Sequence, residues 1–212
     1  MKTDDLIHAL AQDAAVREPS PNRAIGIALV TGGLAAAAVF AMLLGPRDDI
    51  PMAMHELRFV FKFILTGSLA AVAVNMAAGA VRPASSMERR GWLLLTPLAL
   101  MVTALAFELL SVPRDAWMER LVGTNWLVCL TYVPLISIAP LAAMLLAMRR
   151  GAPTRPVLAG ALAGLASGAL AAMFYAAHCP DDSPLFVAVW YGLAIGIVTA
   201  AGALAGHRLL RW

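Results

Sequence analysis

Charge is what this chain has least of. Only 14% of its 212 residues are Asp, Glu, Lys or Arg, while 61% are hydrophobic. That balance lies outside the range of soluble domains. Cysteine is equally scarce. There are two, with no C-x-x-C spacing, which argues against a thiol oxidoreductase with a paired redox motif. Catalytic signatures are missing as well. The chain has no nucleophile elbow, no metalloprotease motif, no phosphate loop and no pair of carboxylates at enzyme spacing, so it points away from enzymes and away from any resident cofactor. Two interrupted apolar runs in matching halves, common in secondary transporters, are also lacking. A net charge of +3 gives no reason to invoke nucleic acid.

What is present is six nearly uncharged runs: Ala24–Leu44, Phe59–Val81, Trp92–Val112, Trp126–Met148, Val157–Ala177 and Leu185–Gly206. At about 1.5 Å of rise per residue, each is long enough to cross a hydrocarbon core of roughly 30 Å as a helix. The expected fold is an all-α, six-helix transmembrane bundle over residues 24–212, preceded by a soluble segment, residues 1–23. The connections are too short to hold a folded domain. The first run does not read as a cleaved signal peptide, being too long, preceded by a polar segment and followed by no small-x-small cleavage pattern. Gly160, Gly164 and Gly168 stand four apart, the spacing that lets a neighbouring helix approach closely. Pro97, Pro134 and Pro140 predict kinks in the third and fourth helices. Trp92, Trp117, Trp126 and Trp212 fall at the predicted interfaces, as aromatic anchors do.

Basic residues set the orientation. Lys2, Arg17, Arg23, Arg82, Arg89, Arg90, Arg149, Arg150, Arg155, Arg208 and Arg211 fall on one side, eleven in all. Arg47, Arg58, Arg114, Arg120 and Lys62 make five on the other. By the positive-inside bias both termini are expected in the cytoplasm.

The N-terminal segment predicts a short helix. Thr3 is a candidate N-cap, with Asp4 and Asp5 in the first turn. Leu6, Ile7, Leu10, Ala11 and Ala14 then form one apolar stripe, opposite Asp5, His8, Gln12 and Asp13. Glu18-Pro19-Ser20-Pro21 ends the helix and spaces it from the membrane. Such a helix either lies on its own loops or lipid headgroups, or docks its apolar face in a groove of a cytoplasmic partner. Three acids and few basic residues argue against an anionic lipid surface.

The topology puts Cys129 and Cys179, 50 residues apart, at the same, non-cytoplasmic end. Cys129 lies just inside the fourth run and Cys179 in His178-Cys179-Pro180-Asp181-Asp182. Together they could form a disulfide or await an oxidant or soft metal, with His178, His55, Asp181 and Asp182 as further ligands. Protonated His178 would favour the Cys179 thiolate. Alternatively they are two unrelated small side chains in packed helices. Glu108, inside the third run, reads as an ion-pairing or proton-relay group, and Asn75 as an interhelical hydrogen bonder.

The opening Met1-Lys2-Thr3-Asp4-Asp5-Leu6-Ile7-His8-Ala9-Leu10-Ala11-Gln12-Asp13, the six runs, and one cysteine in run four with another after run five resemble the NrsF family. These are membrane anti-sigma factors of the bacterial inner membrane. The resemblance covers the whole chain. It implies an extracytoplasmic-function sigma factor as partner, held by the segment containing Asp4, Asp5, Leu6, Ile7, Leu10 and Asp13. It implies Cys129 and Cys179 as the sensing pair for heavy metal or oxidant, with His178 a third ligand for a transiently bound ion. The alternative is a small six-helix transporter or channel, with Glu108 and Asn75 lining a path, or a membrane scaffold without a sensing role.

Overall fold

The structure, a computed structural model, describes Thr3, Ile7, residues 20–82 and residues 91–211. Among these it is all-helical. Six helical spans are long and apolar enough to cross a membrane, and their principal helices are α1 Pro21–Leu43, α2 Leu57–Ala80, α3 Leu95–Ser111, α4 Trp126–Met148, α5 Pro156–Ala176 and α6 Gly192–Leu209. A helix satisfies every backbone donor within its own segment, the one solution open to chains this apolar. Of the expected N-terminal helix, Thr3 and Ile7 are helical and exposed. Asp4, Asp5, Leu6, Leu10 and Asp13 lie outside the described residues.

Proline and glycine set the helix ends. Pro21 and Pro156 occupy the first turns of α1 and α5, where a missing N–H costs nothing. Gly45, at φ +68°, closes α1 by donating its N–H to the Phe40 carbonyl at 2.9 Å, the left-handed ending that glycine favours. The last span begins earlier and less regularly than its periodicity suggests. A turn at Pro184–Phe186, in which the Ser183 hydroxyl accepts from the Leu185 N–H, leads into a π-helical turn, Val187–Tyr191, before α6 starts. Pro134 and Pro140 sit inside an α4 that continues through both of them. Gly32 of α1 lies directly against Pro140, leaving no space for a side chain between them.

α5 is the central helix, flanked by α2, α4 and α6, and α1 packs mainly on α4. The α5–α6 contact is backbone on backbone. A Cβ at Gly160 would stand 2.2 Å from the Gly202 carbonyl oxygen, and one at Gly164 would stand 2.5 Å from that of Val198. Gly202 and Gly206 return the same closeness from α6. The spacing of the α5 glycines predicts such a seam, and the structure supplies its partner face on α6. α3 is peripheral, burying Pro97 and Glu108 alone. Two apolar clusters fill the interior. One, around Tyr175, Phe186 and Tyr191, lies at the end holding both cysteines, here the thiol end. The other joins Ile25, Val81, Met144, Met148 and Leu210 at the end where α1 begins and α6 stops, the terminal end.

This seam gives a direct prediction. Gly164→Leu forces a side chain into a backbone contact, and overpacking costs about 1–3 kcal/mol or more. Thermal unfolding of the purified protein in detergent should show a clear drop in midpoint. Gly196→Leu, on the open side of α6 with nothing within 4 Å of its Cβ, should leave the midpoint unchanged.

Candidate functional site

The chain leaving α5 crosses the thiol end as residues 178–183, and almost every residue there grips a different helix. His178 Nδ1 lies 3.0 Å from the Gly45 carbonyl oxygen at the end of α1. The Cys179 carbonyl oxygen accepts from Lys62 Nζ of α2 at 2.8 Å and from Arg47 at 3.4 Å. The Asp181 carboxylate accepts from the backbone N–H groups of Thr124 (3.1 Å) and Asn125 (2.9 Å), capping the start of α4. An anion is favoured there because the first amides of a helix lack internal partners. Asp182 receives Lys62 at 2.5 Å and Arg47 at 3.1 Å. Ser183 donates to Glu108 of α3 at 3.1 Å.

Glu108 is fully buried and held by two guanidinium groups, Arg58 at 2.8 Å and Arg120 at 2.9 Å. Of the two roles expected for it, ion pairing is what this geometry provides. Asn75 stands exposed on α2, eighteen residues beyond the first residue of that helix, about 27 Å along its axis. Glu108 and Asn75 therefore sit towards opposite ends of the bundle, Glu108 buried and Asn75 exposed. Arg47 also clasps Asp49 with two 2.5 Å contacts. The Asp49 carboxyl is held below its ordinary range and the Arg47 guanidinium above its own by this pairing.

Lys62 is the functional candidate that sequence reasoning misses. It enters the orientation count as one more basic residue, yet its side chain is fully buried, with its ammonium 5.3 Å from the centre of the Phe59 ring. Its position inside an apolar run is the available signal, since a cation there is costly unless it has a specific partner.

The structure brings Cys129 and Cys179 into one apolar cluster with Val133, Tyr175, Phe186 and Tyr191. Both are free thiols and both are fully buried. The expectation that Cys129 is shallow enough for solvent to reach it is not met, because these side chains close over it. Nor does His178 activate Cys179. The His178 ring addresses Gly45, and burial pushes the Cys179 thiol up despite the opposing influence of Lys62. The Cys179 sulfur donates to the Asp181 carbonyl oxygen at 3.8 Å. Tyr175 donates its hydroxyl to the Asn125 carbonyl at 3.2 Å, whereas the buried Tyr191 hydroxyl has no hydrogen-bond partner. Among the described residues no three His, Cys, Asp or Glu side chains gather as a metal set, and the His178 ring addresses Gly45.

No solved structure matches this chain. Two relatives match over their full length and over all of this chain. "Anti-sigma-F factor NrsF" of Caulobacter vibrioides is 36% identical, and "Probable anti-sigma-F factor NrsF" of Azospira oryzae is 34% identical. The profile of the NrsF family, described as "Negative regulator of sigma F", matches residues 10–212. With similarity of this kind over its whole length, the chain belongs to the NrsF family, negative regulators of sigma F.

Proposed function

We propose that this protein is an anti-sigma factor of the bacterial inner membrane. It holds an extracytoplasmic-function sigma factor at its terminal end and releases it when Cys129 and Cys179 are modified by a soft metal or an oxidant. The observation carrying this reading is the full-length match to relatives named as anti-sigma-F factors. Membership in a family of negative regulators also favours a regulatory role over a catalytic one.

Charge supports the orientation with both termini in the cytoplasm. At the terminal end Arg23, Arg149, Arg150, Arg155, Arg208 and Arg211 are exposed. At the thiol end Arg47, Arg58, Lys62 and Arg120 are each paired with an acid. The bundle thus presents a cluster of exposed cations on the side that the positive-inside bias assigns to the cytoplasm. Sigma-factor binding falls to the segment with Leu6, Ile7 and Leu10 as apolar anchors and Asp4, Asp5 and Asp13 as acids, together with the neighbouring basic loops.

Membership of both thiols in one cluster supports the sensing part. Two sulfurs in one cluster suit either a thiophilic ion held between them or a disulfide, whose formation passes two electrons to the oxidant and releases two protons. Either change adds a bond between α4 and the 178–183 segment beyond the hydrogen bonds of Asp181. For useful coupling the change must shift affinity at the far end by about 1–3 kcal/mol.

Three outcomes are expected. A periplasm-dependent reporter fused after Trp212 should be silent and a cytoplasm-dependent one active; the reverse pattern sinks the orientation. Replacing Leu6 and Leu10 with Asp should abolish co-purification of the sigma factor at normal membrane abundance, and full retention would rule out the docking role. Cys129→Ser should leave the sigma factor bound but block its release by cadmium. Normal release from that variant would end the sensing role of the thiol.

A further inference from the structure

We infer that Lys62 is the positioning residue that ties the state of the Cys179 segment to the placement of α2, so that breaking its clamp releases the partner without any inducer. The inference rests on the anti-sigma reading above and assigns to Lys62 a part that the thiols alone cannot play.

Lys62 makes two contacts to one short segment, one to the Cys179 carbonyl oxygen and one to the Asp182 carboxylate. Its remaining surroundings are the Phe59 ring and the apolar interior. A buried ammonium left by its acid has no water to replace it. Movement of the segment therefore has two outcomes: either Lys62 follows it, drawing α2 along, or the clamp breaks at the cost of a buried, uncompensated charge and the segment and α2 part. Arg47 is a poorer tether. It is partly exposed, divides its donors between Asp49 and Asp182, and stands 3.4 Å from the Cys179 carbonyl.

α2 is suited to carry that movement across the bundle. It runs unbroken for 24 residues, about 36 Å. Its far end packs in the terminal-end cluster. Val81 packs with Ala24, Ile25, Met144 and Met148, and Gly151 presses so closely on Val81 that a Cβ there would overlap its methyl group at 1.9 Å. Ala24 and Ile25 lie near the start of α1, close behind the N-terminal segment. One rigid element thus touches the backbone of a thiol at one end and the root of the partner-binding segment at the other. The α4 route favoured by Cys129 alone has no comparable charged tie along its length. Asp181 caps only its first residues.

The test uses the full-length protein expressed with its sigma factor and a sigma-dependent reporter, with membrane abundance measured alongside. Lys62→Met should raise uninduced reporter activity at least tenfold at wild-type abundance, with correspondingly less sigma factor co-purifying. Asp182→Asn should do the same, and it decides the question where Lys62→Met fails to accumulate. Adding Cys129→Ser and Cys179→Ser to Lys62→Met should leave the reporter high, because the clamp acts after the thiols. Variants that accumulate, repress and respond to cadmium as the wild type does would overturn the inference. So would a reporter rise that only tracks lost protein, or one that the serine substitutions reverse. Wild-type protein that recovers no sigma factor at all would instead defeat the anti-sigma reading.

Discussion

A charge buried among apolar side chains must have its counter-charge within hydrogen-bonding reach, and this requirement organises the thiol end of the molecule. Two such charges, Glu108 and Lys62, lie in different helices, and the segment 178–183 serves both. Removing one member of a buried pair costs about 3–5 kcal/mol because the survivor is left uncompensated. That penalty holds six residues without helical structure in one arrangement at the tip of an otherwise regular bundle. The same segment also caps α4 through Asp181 and meets the end of α1 through His178. Four spans are thereby tied to it by polar contacts.

The two ends of the bundle are built on different physics. At the thiol end, ion pairs and hydrogen bonds specify which helix stands beside which, and each has a defined direction. At the terminal end, methionine, alanine and leucine side chains pack without charge, and contacts of that kind accept small displacements. The proposed sensing role would be well served by this contrast, a stiff detector at one end and a more compliant output at the other. α5 and α6, joined backbone to backbone, form the frame against which α2 and α4 are placed.

Much of this is legible in the sequence, because apolar length and basic asymmetry are properties of the chain itself. The six helices follow from runs that no soluble fold accommodates, and the glycines of α5 follow from their spacing of four. Glu108 is recognisable as an ion-pairing candidate, since a carboxylate in an apolar run needs a partner. Its partners are not, because Arg58, Arg120 and Ser183 lie 50 residues before it and 12 and 75 after it, and no local pattern links them. Lys62 is obscured by its place one turn into a helix, where a snorkelling lysine and a buried one look alike. The burial of Cys129 is hidden for a related reason: depth along a helix is readable from residue number, but cover by neighbouring side chains is not. The π-helical turn at Val187–Tyr191 has no counterpart in hydrophobic periodicity.

The separation of these partners along the chain also dictates an order of assembly. Synthesis delivers Arg58 before Glu108, so the carboxylate of α3 emerges with one cation already made, and the Arg58–Glu108 pair can close as soon as the hairpin of α2 and α3 forms. Arg120 follows within the next few residues. Lys62 has no such early companion, since Asp182 is made 120 positions later, with the turn into the last helix. Until that final hairpin arrives, the growing bundle carries an unanswered positive charge at its heart. A nascent chain halted after α4 is therefore an incomplete object with a marked affinity for an acid, and the arrival of the last two helices is the step that turns a collection of inserted segments into a single protein.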